Sequence, residues 1–209
     1  MRGAVRRALT MILCLALTGC GQGADEVDQL TLDIRGRYLG LERVTARLEV
    51  EADYGQRVYA YELDLDWRRE GETTISVIAP EEVAGLTARL AAGETFLDYD
   101  GVSLETGPLD ESGLSPMGAG PRLLQAAAED FIAESGLETW EEGERLRLLC
   151  RDPEGRPGEG TEYTLWFDPN TFALLRGEVS VDGRRVFACR LSEFQMEGPT
   201  EEAAPSGEK

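Results

Sequence analysis

The chain has 209 residues, with 21 Lys+Arg against 40 Asp+Glu and a formal net charge of −19; an excess of that sign is repelled by phosphate backbones and excludes an electrostatic nucleic-acid binder. Hydrophobic residues make up 42% and charged residues 29%, enough apolar material for one globular core and too little bias for wholesale disorder. Histidine is absent and the one lysine is Lys209, which removes His-based triads, His-ligated zinc, Schiff-base lysines and P-loop lysines. The expectation is a binding protein, not an enzyme, without catalytic residues, cofactor or metal.

The chain opens as an export signal. Arg2, Arg6 and Arg7 form a basic region, and the apolar run Ala8 to Leu17 is about half of the ~20 residues a membrane-spanning helix needs. The run closes on Leu17-Thr18-Gly19-Cys20, which resembles the bacterial lipobox, in which small residues fit the signal peptidase and the cysteine sulfur receives diacylglycerol. On that resemblance residues 1–19 are removed and Cys20 carries the lipid, including acyl chains such as palmitate, that holds the protein on the extracytoplasmic face of the cell membrane. Several acyl chains hold a bilayer far better than one, at about 0.8 kcal/mol per buried CH₂. The mature chain then has 18 basic and 40 acidic residues, a charge of −22, so anionic lipid does not attract the domain itself. Residues 20–25 read as the lipidated cysteine and a short tether.

Asp25 to Leu41 follows as a helix, with Val27, Leu30, Ile34, Tyr38 and Leu41 on one apolar stripe. Val44, Ala46, Leu48, Val50, Ala52 and Tyr54 then alternate with polar residues, and after Gly55-Gln56 a second strand carries Tyr59, Tyr61, Leu63, Leu65 and Trp67 on one face; the two make a long antiparallel hairpin. Thr73 to Ala79 is a third strand, Pro80 to Ala84 a helical turn, and Leu86 to Ala92, Thr95 to Tyr99 and Val102 to Thr106 are shorter strands. Gly107 to Gly120, rich in glycine and proline, reads as a loop. Pro121 reads as the start of a second helix, with Leu124, Ala127, Ala128, Phe131 and Ile132 on its apolar side, running to Ser135 and stopping at Gly136. The acidic stretch Glu138 to Glu144 around Trp140 reads as a solvated helix end or loop. Four strands close the domain, near Arg145 to Asp152, Thr161 to Asp168, Ala173 to Val181 and Arg184 to Phe194, which makes the class α+β. The segment 198–209, rich in Pro, Glu, Ser and Gly, is expected to be disordered.

Cys14 leaves with the signal, which leaves Cys150 and Cys189 as a possible pair in an oxidising compartment. Both share a strand face with apolar neighbours and are expected to point into the core. In a simple meander their strands are first and fourth, roughly 14 Å apart at ~4.8 Å per step, too far to bridge. Asp64 with Asp66, and Asp98 with Asp100, have the chemistry of a calcium site but not the spacing of an EF-hand loop, and alternating acids on a solvent face explain them as well. A carboxylate-pair glycosidase survives the loss of histidine, but among 40 acids such a pair arises by chance.

The order helix, long hairpin, meander, loop, helix and four-strand meander, with Thr164 to Val179 (TLWFDPNTFALLRGEV) and Ile75 to Leu90 (ISVIAPEEVAGLTARL), resembles the LolA/LolB-like family of lipoprotein carriers and receptors. The resemblance covers residues 26–197. It implies an unclosed antiparallel half-barrel sheet with helices covering the concave face and an apolar groove that holds lipid or the acyl chains of lipoproteins. Within that family the chain is similar to lipid-anchored members from spore-forming Gram-positive bacteria, including germination lipoproteins that support a cell-wall amidase. That implies either a lipid or lipoprotein cargo or, on the same fold, a scaffold for an envelope protein partner. An anchor at Cys20 suits a fixed receptor better than a shuttle. Tyr59, Tyr61, Leu63, Leu65, Trp67 and Phe131 are large enough to line such a groove; the same alternation is equally satisfied by a filled core.

Overall fold

A computed structural model describes residues 22–91, 93–107, 114–140 and 142–198. The export signal, Cys20 and the tail beyond Gly198 lie outside the described residues. Helix α1 spans Gln22–Leu39 and helix α2 Pro116–Glu129. The strands are β1 (Arg43–Asp53), β2 (Val58–Arg68), β3 (Thr73–Ala79), β4 (Thr87–Ala91), β5 (Glu94–Tyr99), β6 (Val102–Glu105), β7 (Ile132–Trp140), β8 (Gly143–Cys150), β9 (Thr161–Phe167), β10 (Leu174–Val181) and β11 (Arg184–Glu197), with a single 3₁₀ turn at Glu81–Val83 after β3. They form one antiparallel sheet in the order β6-β5-β4-β3-β2-β1-β11-β10-β9-β8-β7, which does not close on itself. The fold is therefore an α+β unclosed half-barrel.

The period-two alternation of β1 dictates the two faces of this sheet. Val44, Ala46, Leu48, Val50 and Ala52 are buried beneath the helices, while Arg43 and Arg47 point outward and pair with the acids of β2. Arg47 donates to Glu62 and Asp64, each at 2.6 Å, and Arg43 donates to Asp66 at 2.8 and 2.9 Å. Arg89 on β4 engages Asp98 in the same way. Asp64, Asp66 and Asp98 are thus held in a ladder of cross-strand ion pairs, and the Arg43 guanidinium beside Asp66 holds its carboxyl below the usual carboxylate range. Asp100 and Gly101 have φ of 48° and 78°, the left-handed pair that a two-residue hairpin turn between β5 and β6 requires.

Helix α1 buries Ile34 and Tyr38 as its stripe predicts, and Leu41 just past its end is also buried. The Tyr38 hydroxyl donates to the Phe172 carbonyl at 3.0 Å and its ring meets Phe167 edge-on at 5.3 Å. The helix starts at Gln22, so the tether expected through residue 25 is already helical from that point.

The largest departure from the sequence expectation concerns α2. Its N-cap is Ser115, whose hydroxyl accepts from the Gly118 amide at 3.0 Å, and Pro116 occupies the first turn. The start is therefore one and a half turns before Pro121, and Gly118, Ala119 and Gly120, expected in a loop, are buried helical residues. The helix ends at Glu129, with Asp130 extended. Residues from Ile132 pair instead with β8, Ile132 opposite Cys150 and Trp140 opposite Gly143. β7 covers the edge that β8 would otherwise present to solvent, and Gly136 lies within it opposite Arg147. Phe131 and Ile132 accordingly leave the helix face, and the acidic stretch around Trp140 is a β-hairpin end in which Glu138 accepts from the Trp166 indole N–H at 2.8 Å.

Cys150 on β8 and Cys189 on β11 are buried, free and three strand steps apart. Burial pushes both thiols up to about 12.

Candidate functional site

Helix α2 closes the centre of the concave face by packing at two glycines, where leucine side chains meet bare backbone. A Cβ on Gly120 would stand 2.8 Å from Leu48 Cδ2 and 3.3 Å from Leu65 Cδ2, and one on Gly177 of β10 would stand 2.5 Å from Leu123 Cδ1. Gly120 and Gly177 are therefore where leucine side chains of the facing element, Leu48 and Leu65 of the sheet and Leu123 of the helix, lie directly on glycine backbone. Leu48, Leu63, Leu65 and Leu123 are each exposed by 3% or less. At this position the half-barrel is packed solid.

The cover stops short of β6. One inward-facing row crosses the sheet through register partners from Ala46 to Leu65, Ile75, Ala88, Leu97 and Leu104. Its members as far as Ala88 are buried, Leu97 is half-buried, and Leu104 is 61% exposed. The partners Tyr99 and Val102 on the same face are 49% and 68% exposed. Between β5 and β6 the concave face is thus an uncovered apolar strip that continues into the core without a polar break. Partly buried Leu97 and Leu90 join it to that core.

A second uncovered group stands at the β1–β2 hairpin end. Tyr54 and Tyr59 are exposed; their ring centroids are 5.9 Å apart, Tyr54 is 6.0 Å from Phe187, and Tyr59 stacks on Tyr61 at 6.5 Å. The six residues that the sequence nominates as groove lining are divided by these facts. Tyr59 and Tyr61 belong to this aromatic group. Leu63 and Leu65 are floor residues sealed under α2. Trp67 is half-buried at the other end of β2, beneath the Arg69 guanidinium at 5.8 Å. Phe131 is 51% exposed between α2 and β7. The structure does not bring the six around one hollow.

Tyr99, Val102 and Leu104, an open part of the face, do not stand out in the sequence. The signal was present in the alternation of Val102 and Leu104 with Ser103 and Glu105, but a four-residue strand looks the same whether or not a helix covers it.

Three hollows line other parts of the surface. One of about 480 Å³ lies on the convex face over Ala60, Ala79 and Ala188, another of about 620 Å³ lies between α1 and the β7–β8 end, and a third of about 710 Å³ lies at the C-terminal end of α2. Among the described residues no helix is long and apolar enough to cross a membrane.

No protein-family model matches the sequence, and no curated protein is significantly similar to it. Solved structures are similar in fold at low identity. A putative outer membrane lipoprotein-sorting protein domain from Vibrio parahaemolyticus is 12% identical, with 86% of this chain and 95% of that one covered and a TM-score of 0.45. A LolA superfamily protein from Nitrosomonas europaea is 10% identical over 83% and 94%, with a TM-score of 0.41. A chain in the structure of the CwlD amidase from Clostridioides difficile in complex with the GerS lipoprotein is 15% identical over 81% and 95%, with a TM-score of 0.42.

Proposed function

We propose that this protein is a lipid-anchored binding protein of the extracytoplasmic membrane face, fixed through Cys20, which takes an acyl chain of a lipid or lipoprotein on the open part of its concave face. The observation that carries the reading is the inward row from Leu65 to Leu104, buried at one end and 61% exposed at the other. An apolar strip continuous with a core is the surface on which a hydrocarbon chain gains most, at about 25 cal/mol per Å² removed from water. Tyr59 and Tyr61 provide a second apolar edge with polar hydroxyl tips suited to a wet boundary. Native mass spectrometry of the protein purified from membranes should show co-purifying lipid. A ligand-free protein that also takes up no fluorescent fatty acid contradicts the reading.

A second reading keeps the same anchor and makes the protein a non-enzymatic scaffold for an envelope protein, of the kind that germination lipoproteins provide for a cell-wall amidase. The solid packing of Gly120 against Leu48 and Leu65 favours it, because the floor of the half-barrel leaves no room for a chain unless α2 moves. Cross-linking in native membranes should then recover a partner in fixed stoichiometry, and its absence favours the acyl reading.

A further inference from the structure

The hollow at the C-terminal end of α2 is lined by Arg122, Asp130, Phe131, Arg151, Asp152 and Tyr163, among others. Arg122 donates one Nη2 bond to Asp130 Oδ2 at 2.6 Å and lies with its guanidinium 4.0 Å from the centroid of the Tyr163 ring. Its side chain is only 16% exposed. Arg35 of α1 donates to the backbone carbonyl of the same Asp130, and the Arg151 amide donates to the Phe131 carbonyl at 3.1 Å. Three arginines are therefore gathered around the Asp130–Phe131 corner.

Asp130 does not satisfy them. Arg122 Nη1, Arg151 Nε and Arg151 Nη1 are buried without a hydrogen-bond acceptor, as is Arg35 Nε. Two further acids line the hollow, and neither accepts from these nitrogens: Asp152 Oδ1 accepts from the Glu154 amide at 2.8 Å, and the exposed Glu159 faces Arg156 at 3.7 Å. A guanidinium does not shed its proton at accessible pH, so a desolvated one is relieved only by an acceptor. Orphan donors on two different forks, Arg122 and Arg151, match a tetrahedral oxyanion, which offers acceptor oxygens in several directions and no donor. The hollow of about 710 Å³ is large enough for it. At the rim the exposed Phe131 ring gives an apolar shelf beside the charged floor.

We propose that this hollow binds a phosphate group, with Arg151 and Arg122 as its principal donors. The phosphate belongs either to a free anion or to the headgroup of a phospholipid whose glycerol and chains pass over Phe131. The site is on the β8–β9 side of the sheet, far from β6 in strand order, so it does not depend on the acyl reading of the open strip.

The test uses the full-length lipidated chain in neutral maltoside micelles, titrated calorimetrically with inorganic phosphate and with dihexanoyl phosphatidylglycerol. Arg151 makes no side-chain ion pair among the described residues, so Arg151→Gln keeps the fold; Arg122→Gln is the companion variant, with thermal unfolding as the check on its folding. Saturable binding of either probe that weakens at least about tenfold in Arg151→Gln supports the site. Within that outcome, tighter binding of the phosphatidylglycerol identifies a lipid headgroup, and equal or tighter binding of inorganic phosphate identifies a free anion. Failure of both probes to saturate, or saturation untouched by Arg151→Gln, overturns the proposal.

Discussion

Two helical glycines differ in what surrounds them, and their alanine variants should move stability in opposite directions. Gly36 lies in α1 with nothing within 4 Å of an added Cβ. Alanine there gains helix propensity alone, about 0.8–1 kcal/mol. Gly120 lies within α2 and would gain the same amount, but its Cβ would stand 2.8 Å from Leu48 Cδ2 and 3.3 Å from Leu65 Cδ2. Both leucines are buried, so relief requires either an off-rotamer leucine or a retreat of the helix, a cost of about 1–3 kcal/mol. The crowding term therefore wins by about 1 kcal/mol. For a domain of this size each kcal/mol shifts the midpoint by about 2–4 °C. Thermal unfolding followed by circular dichroism, on a Cys20→Ser form beginning at residue 20, should show Gly36→Ala raised by a few degrees and Gly120→Ala lowered by a similar amount. If Gly120→Ala rises as far as Gly36→Ala, α2 does not seat on the sheet as described and the solid floor is refuted.

Four further expectations can be measured separately. Cys150 and Cys189 should resist iodoacetamide at pH 8 in the native protein and react fully once unfolded; labelling of the native chain contradicts their burial. Their thiols also set an alkaline limit: below pH 9 both states are protonated and nothing is lost, while between pH 9 and about 12 the unfolded chain ionises and the folded chain does not. Stability should fall across that window by about 1.4 kcal/mol per unit for each thiol, and Cys189→Ala should flatten the decline. At the acid end, the Asp66 carboxyl is depressed by Arg43, so its contribution is complete above the ordinary carboxylate range and is lost as pH falls through the depressed value; acid unfolding of Arg43→Gln should begin at higher pH than that of the wild type. Metabolic labelling with palmitate should mark the chain, and Cys20→Ser should abolish the label and release the protein from the envelope.

The strands were legible in the sequence because their period-two patterns are long and their turns carry the right residues. In β1 every inward position from Val44 to Ala52 is buried as its alternation requires, and β3 spans Thr73–Ala79 as expected. The separation of Cys150 from Cys189 followed from strand order alone. Helix α2 and β7 were misplaced for a tertiary reason. Gly118 and Gly120 resemble loop residues locally, yet both are buried in the helix, and at Gly120 the side chains of Leu48 and Leu65 leave no room for a Cβ. The Phe131-Ile132 pair continues a helical spacing, yet the free edge of β8 captures the chain as a strand. The placement of the candidate surface depended on the same step: Leu63 and Leu104 have equal claims on a groove by hydropathy and alternation, and only the extent of the helical cover separates a floor residue from an open one.

On the proposed function, the uncovered strip on β5 and β6 takes an acyl chain. Leu104 and Val102 are exposed and lie on a short edge strand, so Leu104→Glu and Val102→Glu should change stability by no more than about 0.5 kcal/mol. Titration of the Cys20→Ser form with a fluorescent fatty acid, read by the emission of the probe, should show saturable binding that each variant weakens by at least about tenfold. Binding that is indifferent to both substitutions, with unfolding midpoints unchanged, contradicts the account.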